Sequence, residues 1–160
     1  KMKPILPIRD WRESYAGCIK ELLSKAKLET LGFTSMIWNT YDRLEALLDT
    51  DQLDPTFVEA AREAKDEMGE SRHGPFPHEK RLEMYRFLIS EVRKYDEKLP
   101  LFVSTETARM WDDLAPVIGQ NPRKFFCGCN PVQGPGPRYI SSDVNESNYR
   151  TNKETGREDK

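Results

Sequence analysis

Leu101-Phe102-Val103 is an apolar run without alternation, closed by Pro100 on one side and by the polar Ser104-Thr105-Glu106 on the other. A strand with one face in water alternates apolar and polar residues. One that does not alternate is covered on both faces, as in a parallel sheet between helical layers. Helical spacing flanks this run. Leu82, Tyr85, Leu88, Ile89, Val92 and Tyr95 predict a helix from about Glu79 to Glu97, with one apolar stripe. Another helix, started by Thr105 or Glu106, runs through Met110, Trp111 and Leu114, and Pro116 and Gly119 help to end it.

Upstream the same alternation repeats. Pro4 to Ile8 reads as a strand, and Asp10 can cap a helix carrying Trp11, Tyr15, Cys18, Ile19, Leu22 and Leu23. Leu28 to Thr34 reads as a second strand on Thr30, Phe33 and Thr34, weakened by Gly32. Ile37 to Leu48 is again helical in spacing, and Asp54-Pro55 opens a short helix through Phe57, Val58 and Ala61. Gly69 to Pro77 is a loop. Strands alternating with helices put the chain in the α/β class, and 160 residues are one domain with one core. The three tryptophans fall on helical stripes, which assigns them to the core.

The chain begins at Lys1 with an apolar run following at once, which predicts that it enters in mid-fold and has sequence upstream; processing is the alternative. Twenty-five basic against 27 acidic residues give a net charge of −2, so any nucleic-acid contact has to be local. No stretch approaches the roughly 20 apolar residues of a bilayer span, and no signal-peptide pattern opens the chain. The three cysteines, Cys18, Cys127 and Cys129, are an odd set with no disulfide framework, and a reducing cytoplasm fits them. From Arg138 to Lys160, five basic and five acidic residues surround only a few apolar ones, which predicts a disordered polar tail over 138–160.

Four stretches fall in an order that resembles the C-terminal barrel half of the spore photoproduct lyase family. They are Pro4-Ile-Leu-Pro7 with Asp10-Trp-Arg-Glu-Ser-Tyr15; Leu28-Glu-Thr-Leu-Gly32; Gly74-Pro-Phe-Pro77 with Glu83-Met-Tyr-Arg-Phe-Leu-Ile89; and Leu101-Phe-Val-Ser-Thr-Glu106 with Met110-Trp111. Cys127-Gly-Cys129-Asn-Pro131 is similar to a closing segment of some members. The resemblance covers about Lys3 to Pro137 and implies, over 1–137, the C-terminal portion of a radical-SAM-type partial TIM barrel with parallel strands and flanking helices.

In that family an N-terminal Cys-x-x-x-Cys-x-x-Cys triad holds a 4Fe-4S cluster. S-adenosylmethionine then yields a 5′-deoxyadenosyl radical, and the namesake's substrate is a thymine dimer in DNA. No such triad occurs in these 160 residues. The resemblance therefore implies a catalytic full-length parent, a missing N-terminal half of the barrel, and a chain inactive by itself.

Active sites of α/β barrels sit at the C-terminal ends of the strands. Those ends put Arg9 and Asp10, Ser35 and Met36, and Thr105 and Glu106 at the rim. Glu106 is the first choice for a contact to substrate or adenosine, with helix capping as the other reading. The basic stretch Arg72 to Arg81 holds both histidines, and Arg72, Lys80 and Arg81 there are candidates for DNA phosphates, or else form a solvated helix start. His73, His78, Cys127 and Cys129 could make a small zinc site, but Cys-x-Cys lacks the usual ligand spacing. A thiol at the barrel mouth could also donate a hydrogen atom to a substrate radical, with burial of both thiols as small hydrophobes the other reading. A non-catalytic binding module on the same fold stays open as well. Its uncovered sheet edges would favour association with a partner or a second copy.

Overall fold

The computed structural model describes residues 1–68 and 73–119. It is a mixed α/β structure around a parallel three-stranded sheet, with β1 (Met2–Ile5), β2 (Leu31–Ser35) and β3 (Leu101–Val103) side by side in chain order. Met2 faces Phe33 and Ile5 faces Ser35 across the first pair, and Leu31, Gly32 and Phe33 face Leu101, Phe102 and Val103 across the second. Every residue of β2 and β3 is buried, as the unbroken apolar run in β3 requires.

Parallel pairing needs crossovers, and helices supply them. Helix α1 (Trp11–Lys25) joins β1 to β2. The second crossover carries α2 (Tyr41–Leu47), a 3-10 turn at Thr50–Gln52, α3 (Pro55–Glu63), α4 (Lys65–Met68) and α5 (His78–Arg93). Helix α6 (Ala108–Ile118) follows β3. Helix α5 packs between α1 and α6, because its stripe Leu82, Met84, Tyr85, Leu88, Ile89 and Val92 is wide and wholly buried. Trp11 meets Phe87 edge-on at 5.1 Å, and Phe57 meets Phe76 edge-on at 5.4 Å. Arg93 at the end of α5 donates to Leu99 O (2.7 Å) and Ile118 O (3.2 Å), tying the start of β3 to the end of α6.

Several boundaries move from the sequence reading. β1 ends at Ile5, and Leu6–Asp10 is the loop after it; the Leu6 N–H is satisfied by the Tyr15 hydroxyl at 2.9 Å instead of by a ladder. Asp10 sits at the N-cap position of α1 in the left-handed region and makes no side-chain cap. Helix α2 begins at Tyr41, capped by Thr40, so Trp38 is in a loop, 57% exposed, and the core assignment fails for it. Trp11 and Trp111 are in the core as expected. Cys18 on α1 is exposed, and Tyr95 lies beyond α5 and is half exposed. Pro116 lies inside α6, and the helix ends at Gly119 with φ 71, a position glycine takes without steric cost. Residues 120–160, including Cys127, Cys129 and the polar tail, lie outside the described residues.

Gly32 does not weaken β2; it makes room. A Cβ there would lie 2.2 Å from Cζ of Phe102, its partner across the ladder. The missing side chain lets that ring lie against the strand.

Among the described residues no helix is long and apolar enough to cross a membrane.

Candidate functional site

Three parallel strands bring their C-terminal ends to one edge of the sheet, and the loops 6–10, 36–40 and 104–107 gather there. Helix α5 sends Arg81 and Tyr85, one turn apart on one face, toward this edge. The Tyr85 hydroxyl donates to Glu106 Oε1 at 2.8 Å and accepts the Ser35 N–H at 2.8 Å. Arg81 Nη1 stands 3.3 Å from Glu106 Oε2 and donates to His73 O at 2.7 Å. The His73 ring closes the circuit on Thr105 O at 2.9 Å. A carbonyl only accepts, so Nδ1 carries the proton of this imidazole.

The network lies inside the protein: Tyr85 is 0%, Arg81 1% and Glu106 7% exposed. Burial raises the Glu106 carboxyl above the ordinary carboxylate range, although Arg81, the Tyr85 hydroxyl and the Thr107 N–H all favour the anion. Burial first, and the Glu106 charge second, push the Tyr85 phenol well above its ordinary value. Tyr85 is thus a fixed proton donor to Glu106, and Glu106 can gain or lose a proton nearer neutrality than an exposed glutamate. Thr34 Oγ1, Arg81 Nε and Glu106 Oε2 are buried without a hydrogen-bond partner among the described residues. Of these, Glu106 Oε2 keeps the Arg81 guanidinium as its ion-pair partner, and an uncompensated buried polar atom such as Thr34 Oγ1 costs about 1–3 kcal/mol.

Backbone strain marks the same edge. Among the described residues the non-glycine positions with positive φ are Asp10 (φ 55), Trp38 (φ 68) and Thr105 (φ 59), one in each loop that follows a strand. Asp tolerates this conformation; a bulky Trp and a β-branched Thr do so at a cost of order 1–3 kcal/mol each. Neighbouring contacts hold these loops in place. Asp54 accepts the Arg9 N–H at 3.1 Å while capping α3 through Thr56 N–H at 2.9 Å, and these N–H donors hold its carboxyl below the ordinary range.

The residues singled out from sequence fall in different places. Glu106 is at the end of β3 as expected but is enclosed, and Thr107 caps α6 by accepting the Met110 N–H at 3.1 Å. Arg81 is with Glu106 in the interior, not on a solvent-facing basic turn. Lys80 pairs with Glu83 at 2.9 Å on the outer side of α5, and Glu83 also meets Arg12. Arg9 is exposed in the first loop. Arg72 lies outside the described residues. Of the four residues weighed as a zinc set, His73 binds the Thr105 carbonyl and His78 Nε2 meets Asp113 Oδ2 at 2.8 Å, while Cys127 and Cys129 lie outside the described residues.

Sequence reasoning passed over Tyr85 and the Ser35 amide. The signal was a basic residue four positions before a tyrosine on an otherwise apolar stripe.

Comparison with family models, curated proteins and solved structures returned no match. The Cys-x-x-x-Cys-x-x-Cys motif by which radical SAM proteins hold their cluster does not occur in the 160 residues. Among the described residues no three His, Cys, Asp or Glu side chains gather as metal ligands. The residues of this chain thus do not carry the family's cluster motif, and Cys127 and Cys129 lie outside the described residues.

Proposed function

We propose that this chain is the substrate-facing, C-terminal part of a radical SAM enzyme resembling spore photoproduct lyase, with the cluster and S-adenosylmethionine held by a segment outside it. In such an enzyme those groups supply a 5′-deoxyadenosyl radical; this chain supplies a wall of a partial TIM barrel. The observation that carries the reading is the enclosed Arg81–Glu106–Tyr85 network at the C-terminal ends of parallel strands in chain order, where α/β barrels keep their active sites.

Glu106, held by Arg81 and Tyr85, is the polar anchor for substrate or for adenosine. Arg9 on the first loop, with Arg72 and Lys80, would meet a charged part of the substrate such as a DNA phosphate. The protein is cytoplasmic in this reading.

The test is to recover the reading frame upstream of Lys1 and look for the cysteine triad. The protein containing it is then purified anaerobically and assayed for reductive cleavage of S-adenosylmethionine. Cleavage that persists in Glu106→Gln while substrate turnover falls is the expected result. A frame without the triad, or a reconstituted protein that leaves S-adenosylmethionine intact, refutes the enzyme reading. The second reading, a non-catalytic interaction module, is favoured by β1 and β3, each with one paired edge among the described residues. Stable association of the isolated chain in sedimentation, with no triad upstream, would support it.

A further inference from the structure

At the opposite end of the sheet from Glu106, where β2 and β3 begin, lies a cleft of about 380 Å³. The last turn of α1, the segment leading from it into β2, and the residues that follow α5 enclose it. It belongs to neither the buried network nor the strained loops.

Part of its polar lining is already engaged, which fixes the walls. Asp96 Oδ1 accepts the Lys98 N–H at 2.9 Å and the Leu99 N–H at 2.8 Å. Ser24 Oγ donates to Glu21 O at 2.8 Å, and Lys25 pairs with Glu21 along α1. What is left carries both signs of charge. Among the described residues, neither the Lys27 ammonium nor Asp96 Oδ2 has a hydrogen-bond or ion-pair partner. The Ala26 N–H returns to Leu22 O at 3.0 Å, so the later carbonyls of α1 have no intrahelical partner and stand at the negative end of the helix dipole. Leu23 and Leu28, both partly buried against the core, and the half-exposed Tyr95 ring add apolar surface.

A simple anion would meet Lys27 but also Asp96 and the helix carbonyls, and a simple cation would meet the reverse. A hydrocarbon would desolvate both charges with nothing in return. A compact zwitterion with an apolar arm satisfies all three features. The volume is at the small end of the roughly 300–1,000 Å³ of ligand sites, which suits one small molecule and not a length of chain.

We propose that this cleft binds a free α-amino acid with an apolar side chain. Its ammonium group goes to Asp96 and the carbonyl end of α1, its carboxylate to Lys27, and its side chain to Leu23, Leu28 and Tyr95. The site is independent of the reading of the Glu106 edge.

The experiment titrates L-phenylalanine into the 160-residue chain and follows backbone amide shifts by NMR. The controls are 3-phenylpropionate, which lacks the ammonium group, phenethylamine, which lacks the carboxylate, and glycine, which lacks the apolar arm. The expected result is saturable shifts centred on Leu23–Leu28 and Tyr95–Asp96, with each control binding more weakly. Lys27→Gln, a change at an exposed side chain, should weaken phenylalanine by about 2- to 5-fold, the span of an exposed ion pair, and leave phenethylamine unchanged. No saturation by about 10 mM, well above a dissociation constant of about 1 mM, overturns the proposal. So do shifts centred elsewhere, any control binding as well as phenylalanine, or an unchanged affinity in Lys27→Gln.

Discussion

Removing a single oxygen, by Tyr85→Phe, tests whether the buried network is held by hydrogen bonds or by packing alone. The phenylalanine ring keeps the volume, so no cavity term enters. Two bonds of 2.8 Å disappear: the Ser35 N–H loses its acceptor and Glu106 Oε1 loses its donor. Each orphaned buried group costs about 1–3 kcal/mol, for a total of about 2–6 kcal/mol. That is a large share of the 5–15 kcal/mol typical of a domain. With a urea slope of about 2 kcal/mol/M, the middle of the usual range for a small domain, the midpoint should fall by about 1–3 M.

Tyr95→Phe is the control, because Tyr95 is half exposed and should shift stability by less than about 0.5 kcal/mol. Combining Tyr85→Phe with Glu106→Gln should give a coupling energy of about 0.5–3 kcal/mol. If Tyr85→Phe unfolds within about 0.5 kcal/mol of the parent at unchanged slope, the hydroxyl does not hold the Ser35 amide and Glu106, and the network reasoning is wrong.

Burial raises the folded-state pKa of Glu106, so the folded state holds that proton more tightly than the unfolded chain does. Its contribution is fully present below the ordinary glutamate value of about 4.3 and is lost as pH rises through the raised folded value. Urea melts in pH steps should therefore show parent stability, relative to Glu106→Gln, falling with pH above about 4.3; a flat difference refutes the shift. Gly32→Ala drives a methyl into the Phe102 ring and should cost about 1–3 kcal/mol or more, with Phe102→Leu recovering part of it in the double variant; a neutral Gly32→Ala in thermal melts means the ring has room to move. Trp38→Gly relieves a positive φ and should be neutral to about 1 kcal/mol stabilising, although glycine in a loop normally costs entropy. A loss above about 1 kcal/mol in calorimetry would show that Trp38 supports the fold more than its backbone strains it.

The order of the three strands and of the five longer helices was legible in the sequence because it follows from periodicity, a local property; the short α4 and the 3-10 turn carry too few residues for a period to show. The unbroken Leu101–Val103 run announced a strand covered on both sides, and Asp54-Pro55 fixed the start of α3. Trp38 was misread because helical spacing alone extended α2 backward past Thr40, where the cap ends it. The sequence also gave no reason to separate Arg81 from its basic neighbours Lys80 and Arg72. On α5, residues 80 and 81 point about 100° apart, so one meets solvent and Glu83 while the other is driven inward to Glu106.

The sequence by itself determined the class: strands and helices alternating in a chain of one-domain size, with Glu106 at the end of a buried strand. Tertiary structure alone decided that Glu106 is enclosed with Arg81 and Tyr85, and that Gly32 exists for the Phe102 ring. It also decided that strain sits in all three loops of one edge. Periodicity records which face of an element is apolar. Which polar groups meet inside depends on strand register and helix packing between residues far apart in the chain, and no local pattern encodes those contacts.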